Sequence, residues 1–284
     1  MNVMVMLIRR EFWEHRMLVL APLALCVVYL VLCVLFGTNV SSRFVEFGNE
    51  APTAAGFLIV MHTVFTIMLY VIMAFVVFFY LCDCLYAERK DRSILFWKSL
   101  PVSDTMTVLS KAIVALICVP VVVYVLSFLT NVLALALFKI LFHAKAPAGA
   151  AADWTMGGWL RLNGYLIVDI LVLALWFAPV AAYQLIMSVV APRAVFVYTL
   201  LPPLTLMIFE RLFFGTAHVG EFLGHRLGSV VKILPGSGHQ GVEGFINAVN
   251  ALPLLARLDL WIGVVVAAAG IYLTIRIRRH QQDS

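Results

Sequence analysis

Long runs of apolar residues, separated by short polar stretches, dominate this chain. Six of these runs meet or exceed the length of about 20 residues that a helix needs to cross the hydrocarbon core of a bilayer. They run from Met17 to Phe36, Gly56 to Tyr86, Met106 to Phe142, Leu162 to Val190, Ala194 to Phe214 and Leu258 to Ile275. Because a helix satisfies all its backbone hydrogen bonds internally, the pattern predicts an all-α integral membrane protein with six transmembrane helices.

Amphipathic patterns also lie outside these runs. In residues 1–16, Val5, Ile8 and Phe12 fall on one helical stripe, which predicts an interfacial helix on the membrane surface. The alternative is a simple extension of the first span. Apolar residues recur at helical spacing in the long stretch from 215 to 257, which predicts amphipathic helices there. They would form either an outer gate or a cap with no gating role.

The most strongly charged segment, Glu88 to Lys111, lies between the second and third runs; we refer to it as the polar island. Both neighbouring runs are longer than the hydrocarbon is thick, so both are expected to project into water there. Residues 93–100 are amphipathic enough for a short helix, and Ser103 or Asp104 is expected to cap the next helix. The alternative is an ordinary basic loop. Such a loop would not expose large apolar groups like those at 95–97.

Composition supports the membrane assignment. Apolar residues make up 63% of the chain and charged residues 12%, whereas soluble domains contain about 25% charged residues. The net charge of +5 is modest, and no basic stripe interleaved with aromatics occurs, so no nucleic-acid partner is expected. The five cysteines are scattered in or beside apolar runs, which is typical of small hydrophobic side chains rather than disulfides or metal ligands.

Basic residues predict the orientation. If the N-terminus is inside, 12 of the 20 lysine and arginine residues flank the spans on the cytoplasmic side. Both termini and the polar island are therefore expected in the cytoplasm. The first run is too long for a cleavable signal peptide and no small-residue cleavage site follows it, so we expect it to be retained. Residues 1–284 are interpreted as a single transmembrane domain.

A few polar or ionisable residues inside the spans are candidates for a transport pathway, because burying them in a membrane is costly. These candidates are Asp169, Glu210, Asn131 and His62. A structural role is the alternative. Asp169 lies two turns from Arg161, and Glu210 can pair with its neighbour Arg211. The histidines of the 215–257 stretch are too widely spaced to predict a metal site, and no pattern indicates a catalytic site.

The chain also lacks the sequence signature of an ATP-binding site. No G-x-x-x-x-G-K-[ST] phosphate loop is present. Residues 236–241 match G-x-G-x-x-G, but no strand is predicted before them, so we expect a turn between helices. If ATP drives this protein, a partner chain binds the ATP and its Mg²⁺.

The residues from Ser93 to Ser103 read SILFWKSLPVS, and Val108 to Lys111 read VLSK. This pattern resembles the cytoplasmic loop of type-2 ABC transporter permeases. In that family a large residue followed by Ser-Leu-Pro-Val/Ile-Ser precedes the third span, and a lysine follows a turn or two into that helix. The six spans, the N-terminal interfacial helix and the long last outer stretch are similar too, so the resemblance covers nearly the whole chain.

The resemblance implies that residues 88–104, the coupling segment, contain a coupling helix that docks onto a separate ATPase. The implied docking residues are Glu88, Arg89, Arg92, Phe96, Trp97 and Lys98. Phe96 and Trp97 would be the apolar anchors, because buried aromatics dominate the energy of such contacts. The implied partners are two ATPase copies, a second permease copy in a homodimer, and membrane lipid. The implied location is the cell membrane, which in bacteria is the inner membrane.

Two functions of other classes remain open. One is a secondary carrier or channel that works without an ATPase, although a proton-driven carrier normally needs more acids and histidines within its spans. The other is a non-transporting membrane protein that confers immunity by sequestering a toxic peptide. An ATPase gene with a phosphate loop next to this one would favour the exporter.

Overall fold

The computed structural model of the chain describes residues 3–46, 54–91, 102–142, 156–231 and 251–280. Within these ranges the regular structure is helical throughout, with no strand. Six segments are long and apolar enough to cross a membrane: Met17–Leu35, Val64–Lys90, Asp104–Ala134, Asn163–Val190, Val195–Phe213 and Leu258–His280. The predicted all-α membrane fold with six spans is therefore confirmed.

The helices of the described residues are numbered here in chain order. They are α1 Val3–Glu14, α2 Met17–Glu46, α3 Ala54–Asp83, α4 Tyr86–Lys90, α5 Asp104–Ile113, α6 Val119–Phe142, α7 Met156–Val190, α8 Val195–Phe213, α9 His218–Val231 and α10 Leu258–His280. A π-helical turn, Val114–Cys118, joins α5 to α6, so the third span is one continuous helix. A 3-10 turn, Leu252–Ala256, leads into α10.

The third span contains a local widening next to a proline. The π-helical turn ends directly before α6, in which Pro120 is the second residue. Proline has no N–H to donate, and its ring clashes with the carbonyl group four residues earlier in a regular α-helix. A π-turn relieves that clash while the helix continues. The Tyr70 hydroxyl of α3 donates a hydrogen bond of 3.4 Å to the Pro120 carbonyl, which links the second and third spans at this point.

Close packing and buried polar bonds hold the spans together. α7 and α10 form the most extensive helix pair. A Cβ atom added to Gly270 would lie 3.1 Å from the Ala182 Cβ, so glycine allows the two backbones to approach closely. Thr66 of α3 and Ser127 of α6 form a buried hydrogen bond of 2.7 Å. Interhelical bonds of this kind matter in a membrane, where lipid is as apolar as the helix surfaces.

Helix length proves less specific than the sequence indicated. α3 has 30 residues, but α2 also has 30 and α7 has 35. Length alone therefore does not distinguish the helices that border the polar island. The cap at the start of α5 is confirmed for Ser103, whose Oγ accepts a hydrogen bond of 3.2 Å from the Met106 backbone N–H.

The N-terminal helix α1 is confirmed as a separate element, broken from α2 at His15 and Arg16. Its apolar stripe is divided, however. Ile8 and Phe12 pack against the core of the bundle, whereas Val5 is 57% exposed. The side chain of Glu11 is 1% exposed. The buried face of α1 therefore includes an acidic residue that the apolar pattern did not reveal.

Candidate functional site

Charged side chains from four helices meet at one end of the bundle. We refer to these residues as the ion cluster and to this end as the cluster end. The ion cluster contains Arg10, Glu11 and Glu14 of α1, Glu88 of α4, Asp104 and Lys111 of α5, and Arg278 of α10. Three cations thus face four carboxylates. Buried charges are tolerated only when they are paired and hydrogen-bonded, so these residues depend on one another.

Lys111 lies at the centre of the ion cluster and is 0% exposed. Its Nζ lies 2.8 Å from Glu11 Oε1 and 3.1 Å from Glu88 Oε1, so one ammonium group joins α1, α4 and α5. The other Glu11 oxygen accepts a hydrogen bond of 2.9 Å from the Tyr80 hydroxyl of α3. Removing one member of such a buried pair typically costs about 3–5 kcal/mol, because the remaining charge loses its partner in a place that water does not reach.

Glu88 is the carboxylate with the most partners. Its Oε1 also accepts a hydrogen bond of 2.9 Å from Arg10 Nη2, and its Oε2 lies 2.8 Å from Arg278 Nη2. The same guanidinium donates from Nε to Asp104 Oδ1 at 2.9 Å. Arg278, which is 3% exposed, therefore bridges Glu88 and Asp104, the first and last residues of the coupling segment.

A second set of bonds holds the junction between α3 and α4. Arg89 Nη2 donates to the carbonyls of Ser188 and Ala191 at 2.9 and 2.7 Å, at the C-terminal end of α7. A cation is favourable there because the last carbonyls of a helix carry a partial negative charge. The Ser188 hydroxyl donates to the Cys82 carbonyl at 2.7 Å and accepts from the Leu85 N–H at 3.2 Å. The turn that leads into the polar island is therefore fixed against α7.

The predicted docking residues fall into two groups. Arg92, Phe96, Trp97 and Lys98 lie outside the described residues. Glu88 and Arg89 are described, and both are engaged within the chain. The Glu88 side chain is 5% exposed and bound inside the ion cluster, so a partner protein cannot reach it at the surface. In the structure, Glu88 and Arg89 fix the start of the coupling segment to the helix bundle. Direct docking by the other four stays a prediction.

The intramembrane candidates are located at the opposite end of the bundle. Asp169 of α7 is 5% exposed, and its Oδ1 accepts a hydrogen bond of 2.9 Å from the Ala251 N–H. This bond fastens the turn before α10 to the fourth span. Asn131 of α6 is half-buried. His62 lies within α3, but its side chain is outside the described part of the structure.

Glu210, at the end of α8, caps a helix. Its carboxylate accepts hydrogen bonds from the His218 and Val219 backbone N–H groups at 2.6 and 2.8 Å and from the Thr216 hydroxyl at 2.8 Å. These N–H groups open α9 and have no partner within the helix, so an anion satisfies them and the helix dipole together. An ion pair with Arg211, which the sequence allows, does not occur among the described residues. Glu210 is therefore a structural residue at this end.

The helix α9 confirms part of the prediction for 215–257, while 232–250 lie outside the described residues. Arg226 of α9 is 2% exposed and donates to the carbonyls of Trp176 and Asp259 at 2.6 and 2.7 Å. Its guanidinium lies 4.8 Å from the centre of the Trp176 ring, a cation–π contact, and the Trp176 indole donates back to the Arg226 carbonyl at 3.1 Å. α9 is thereby fastened to α7 and α10.

The geometry at the cluster end does not favour a metal ion. Glu11, Glu14 and His15 place potential ligand atoms within 4.8 Å of one another. However, Lys111 and Tyr80 already occupy the two Glu11 oxygens. The arrangement is suited to joining helices.

Sequence reasoning missed the partnership of Glu11, Lys111 and Arg278. In the sequence, Lys111 closes the VLSK motif and Arg278 is one of the basic residues that flank the last span, so neither pattern indicates a buried partner. The sequence of α1 does contain an indication that Glu11 is buried. Glu11 lies four residues after Leu7 and next to Phe12, and therefore on the side of the helix that packs against the bundle.

No protein-family model, curated protein or solved structure matches the chain. The functional inference therefore depends on the sequence of the polar island and on the geometry that surrounds it.

Proposed function

We propose that this chain is the membrane permease subunit of an ATP-driven ABC exporter, and that the coupling segment docks onto a separate ATPase subunit. The resemblance of residues 93–111 to type-2 permeases and the six spans support this proposal. The observation that carries it is the ion cluster. Both ends of the coupling segment are bound by the same buried arginine, which lies on the last span.

This arrangement suits the transmission of a force. The coupling segment begins at Glu88 and ends at Asp104, and Arg278 holds both ends. Lys111 adds α1 through Glu11. A displacement imposed on the coupling segment would therefore move α1, α5 and α10 together. A loop whose ends were not bound to other helices would bend under the same displacement and would not pass it on. Loops bend in this way because they have few fixed contacts.

In this proposal, ATP and Mg²⁺ bind to two partner ATPases, and two permease copies form the translocation pathway. Closure of the ATPases pushes the coupling segments and alternates access to the two sides of the membrane. The cluster end then faces the cytoplasm together with both termini, in the cell membrane or the bacterial inner membrane. The helix α9 closes the opposite, outer end.

The decisive experiment tests docking. The double variant Phe96→Ala with Trp97→Ala removes both predicted anchors, and Phe213→Ala with Phe214→Ala is the matched control, since both of these aromatics are 70% exposed at the opposite end. The tagged permease is co-expressed with the ATPases of the same genome and purified in mild detergent. Truncating an anchor typically costs at least about 2 kcal/mol, so the first variant should lose nearly all bound ATPase while the control retains it.

If the Phe96/Trp97 variant retains a full complement of ATPase, the docking assignment is wrong. If no ATPase co-purifies with the unmodified chain, and the purified chain transports without ATP, it is a carrier or channel instead.

A second experiment separates docking from transmission. Arg278→Gln removes the charge that joins the two ends of the coupling segment, and Arg279→Gln changes an exposed neighbour of the same type. Both variants should bind the ATPase, because neither touches the predicted anchors. Only Arg278→Gln should abolish the stimulation of ATP hydrolysis by the permease. Equal stimulation in both variants would refute the role of the ion cluster in transmission.

A further inference from the structure

A lateral cavity of about 850 Å³ opens where the junction of α1 and α2 meets α3 and the start of α8. Its volume lies within the range of roughly 300–1,000 Å³ that is typical of ligand sites. The lining that matters here comprises Arg16, Leu20, Val76, Phe79, Asp83 and Phe196. None of these six residues belongs to the ion cluster, although Glu14 of the ion cluster and Tyr80, which bonds to Glu11, also line the cavity.

The lining changes from charged to apolar along the spans. Arg16 directly precedes α2, and Asp83 is the last residue of α3. Phe79 and Val76 precede Asp83 by one and two turns, about 6 and 10 Å at 1.5 Å per residue. Because α2, α3 and α8 all begin or end here, we expect the charged lining to lie at the membrane boundary and the apolar lining to lie within the hydrocarbon.

Two aromatic rings form the apolar wall. Phe79 of α3 and Phe196 of α8 are stacked, with ring centres 5.7 Å apart and an interplanar angle of 19°. They are 55% and 45% exposed, so this flat surface faces the open side of the cavity. Leu20 of α2, which is 51% exposed, contributes to the lining from the first span. A wall of this kind suits the upper part of an acyl chain.

The charged rim offers one cation and one anion. Arg16 and Asp83 are exposed, and within the described part of the chain neither takes part in an ion pair. Glu14, in contrast, is paired with Arg10 at 2.7 Å. Burial lowers the pKa of His15, so its imidazole is neutral at neutral pH and Arg16 supplies the positive charge. Opposite charges on one rim are complementary to a zwitterionic headgroup.

We infer that the lateral cavity binds one membrane phospholipid whose headgroup carries a phosphate and a primary ammonium group. Arg16 binds the phosphate, Asp83 accepts hydrogen bonds from the ammonium group, and the acyl chains follow Phe79 and Phe196 into the bilayer. A headgroup without the ammonium group leaves Asp83 facing a phosphate of like charge. A quaternary ammonium group has no N–H to donate to Asp83. This inference depends on the membrane fold and the cavity, and not on ATP-driven transport.

Native mass spectrometry measures the occupancy. The full chain is reconstituted with equal amounts of phosphatidylethanolamine, phosphatidylcholine and phosphatidylglycerol, extracted in mild detergent, and scored for retained lipid. Arg16→Gln removes the phosphate ligand, and Leu20→Trp fills the apolar part. The matched controls are Arg9→Gln, an exposed arginine of α1 that packs on Trp13, and Leu32→Trp, an exposed leucine deeper in α2. Neither control residue lines the cavity.

The unmodified chain and both controls should retain one phosphatidylethanolamine in preference to the other two lipids. Arg16→Gln should lower that occupancy about tenfold, the effect of losing one charge-assisted contact. Leu20→Trp should also lower it, because the indole occupies the space of the acyl chain. Equal retention of all three lipids overturns the inference, as does an Arg9→Gln loss equal to that of Arg16→Gln. Displacement by soluble glycerophosphoethanolamine at the concentration of the lipid also overturns it, because the occupant would then be a free headgroup. If Leu20→Trp fails to fold, the Arg16→Gln variant alone tests the inference, because Arg16 is exposed and its substitution should not disturb folding.

Discussion

Removing the central ammonium group is the sharpest test of the ion cluster. In Lys111→Met, Glu88 keeps Arg10 and Arg278 as partners, at 2.9 and 2.8 Å. Glu11 retains only the Tyr80 hydroxyl, at 2.9 Å, and its carboxylate is 1% exposed. The variant therefore leaves one buried charge without a counterion, which costs about 3–5 kcal/mol.

Thermal unfolding in detergent measures this loss. In chains of 150–250 residues, each kcal/mol of lost stability lowers Tm by about 2–4 °C, so the loss expected here lowers Tm by on the order of 10 °C. Lys90→Met is the matched control, because Lys90 is exposed on α4 and a surface change of this kind usually alters stability by less than about 0.5 kcal/mol. The second variant, Lys111→Met with Glu11→Gln, removes the orphaned charge as well.

The double variant should recover at least about 2 kcal/mol relative to Lys111→Met, because replacing a whole buried ion pair is often nearly neutral. Such recovery is a coupling energy between the two residues, which a double-mutant cycle isolates. The reasoning is refuted if Lys111→Met is as stable as Lys90→Met. It is equally refuted if the double variant loses as much stability as the Lys111→Met and Glu11→Gln single variants lose together.

Three further predictions concern the backbone. Gly263→Ala should destabilise the chain by about 3 kcal/mol, because its Cβ would overlap the guanidinium of Arg226 and break charge-assisted bonds to two carbonyls; chemical denaturation measures the loss. Ser103→Ala removes the cap of α5 and should cost about 1 kcal/mol, seen as about fivefold faster hydrogen exchange at the Met106 amide. Ala194→Gly should raise stability by up to about 1 kcal/mol, because Ala194 has φ 46° and left-handed backbone is costly for alanine.

Each prediction has a control of the same chemistry. Gly164→Ala meets no atom within 4 Å and lies within α7, so it should cause no loss. Ser110→Ala, within α5, should leave the Met106 amide unchanged, because the Ser110 hydroxyl bonds to the Thr107 carbonyl whereas the Met106 N–H is bound by Ser103. Ala191→Gly is buried without a left-handed backbone and should destabilise the chain. Each idea fails if its control shows the same result as the test variant.

Local features of the sequence predicted much of the fold. Apolar run length predicts a spanning helix because the bilayer has a fixed thickness, and all six spans follow from it. The Ser103 cap followed from a serine placed directly before a helical pattern. Length failed only where it was used to distinguish helices, since α2 is as long as α3, which borders the polar island, and α7 is longer than α3.

The site required the tertiary structure. The resemblance implied that Glu88 contacts a partner protein as part of the coupling segment. Glu88 is buried because Lys111, Arg10 and Arg278 surround it, and Arg278 lies far from it in the sequence. The sequence allows Glu210 to pair with its neighbour Arg211, but Glu210 instead caps α9 across the turn that follows α8. Pairings of this kind depend on which helix ends meet, and no local pattern records that.

By itself, therefore, the sequence determined the class of protein, the six spans, the cap of α5 and the polar island, because each depends on a short stretch and on its solvent. Only the tertiary structure decided that the two ends of the coupling segment are bound by Arg278 and that α1 joins them through Glu11 and Lys111. The physical reason is that a charge can be buried only where opposite charges from other helices converge on it. That convergence is set by the packing of the whole bundle.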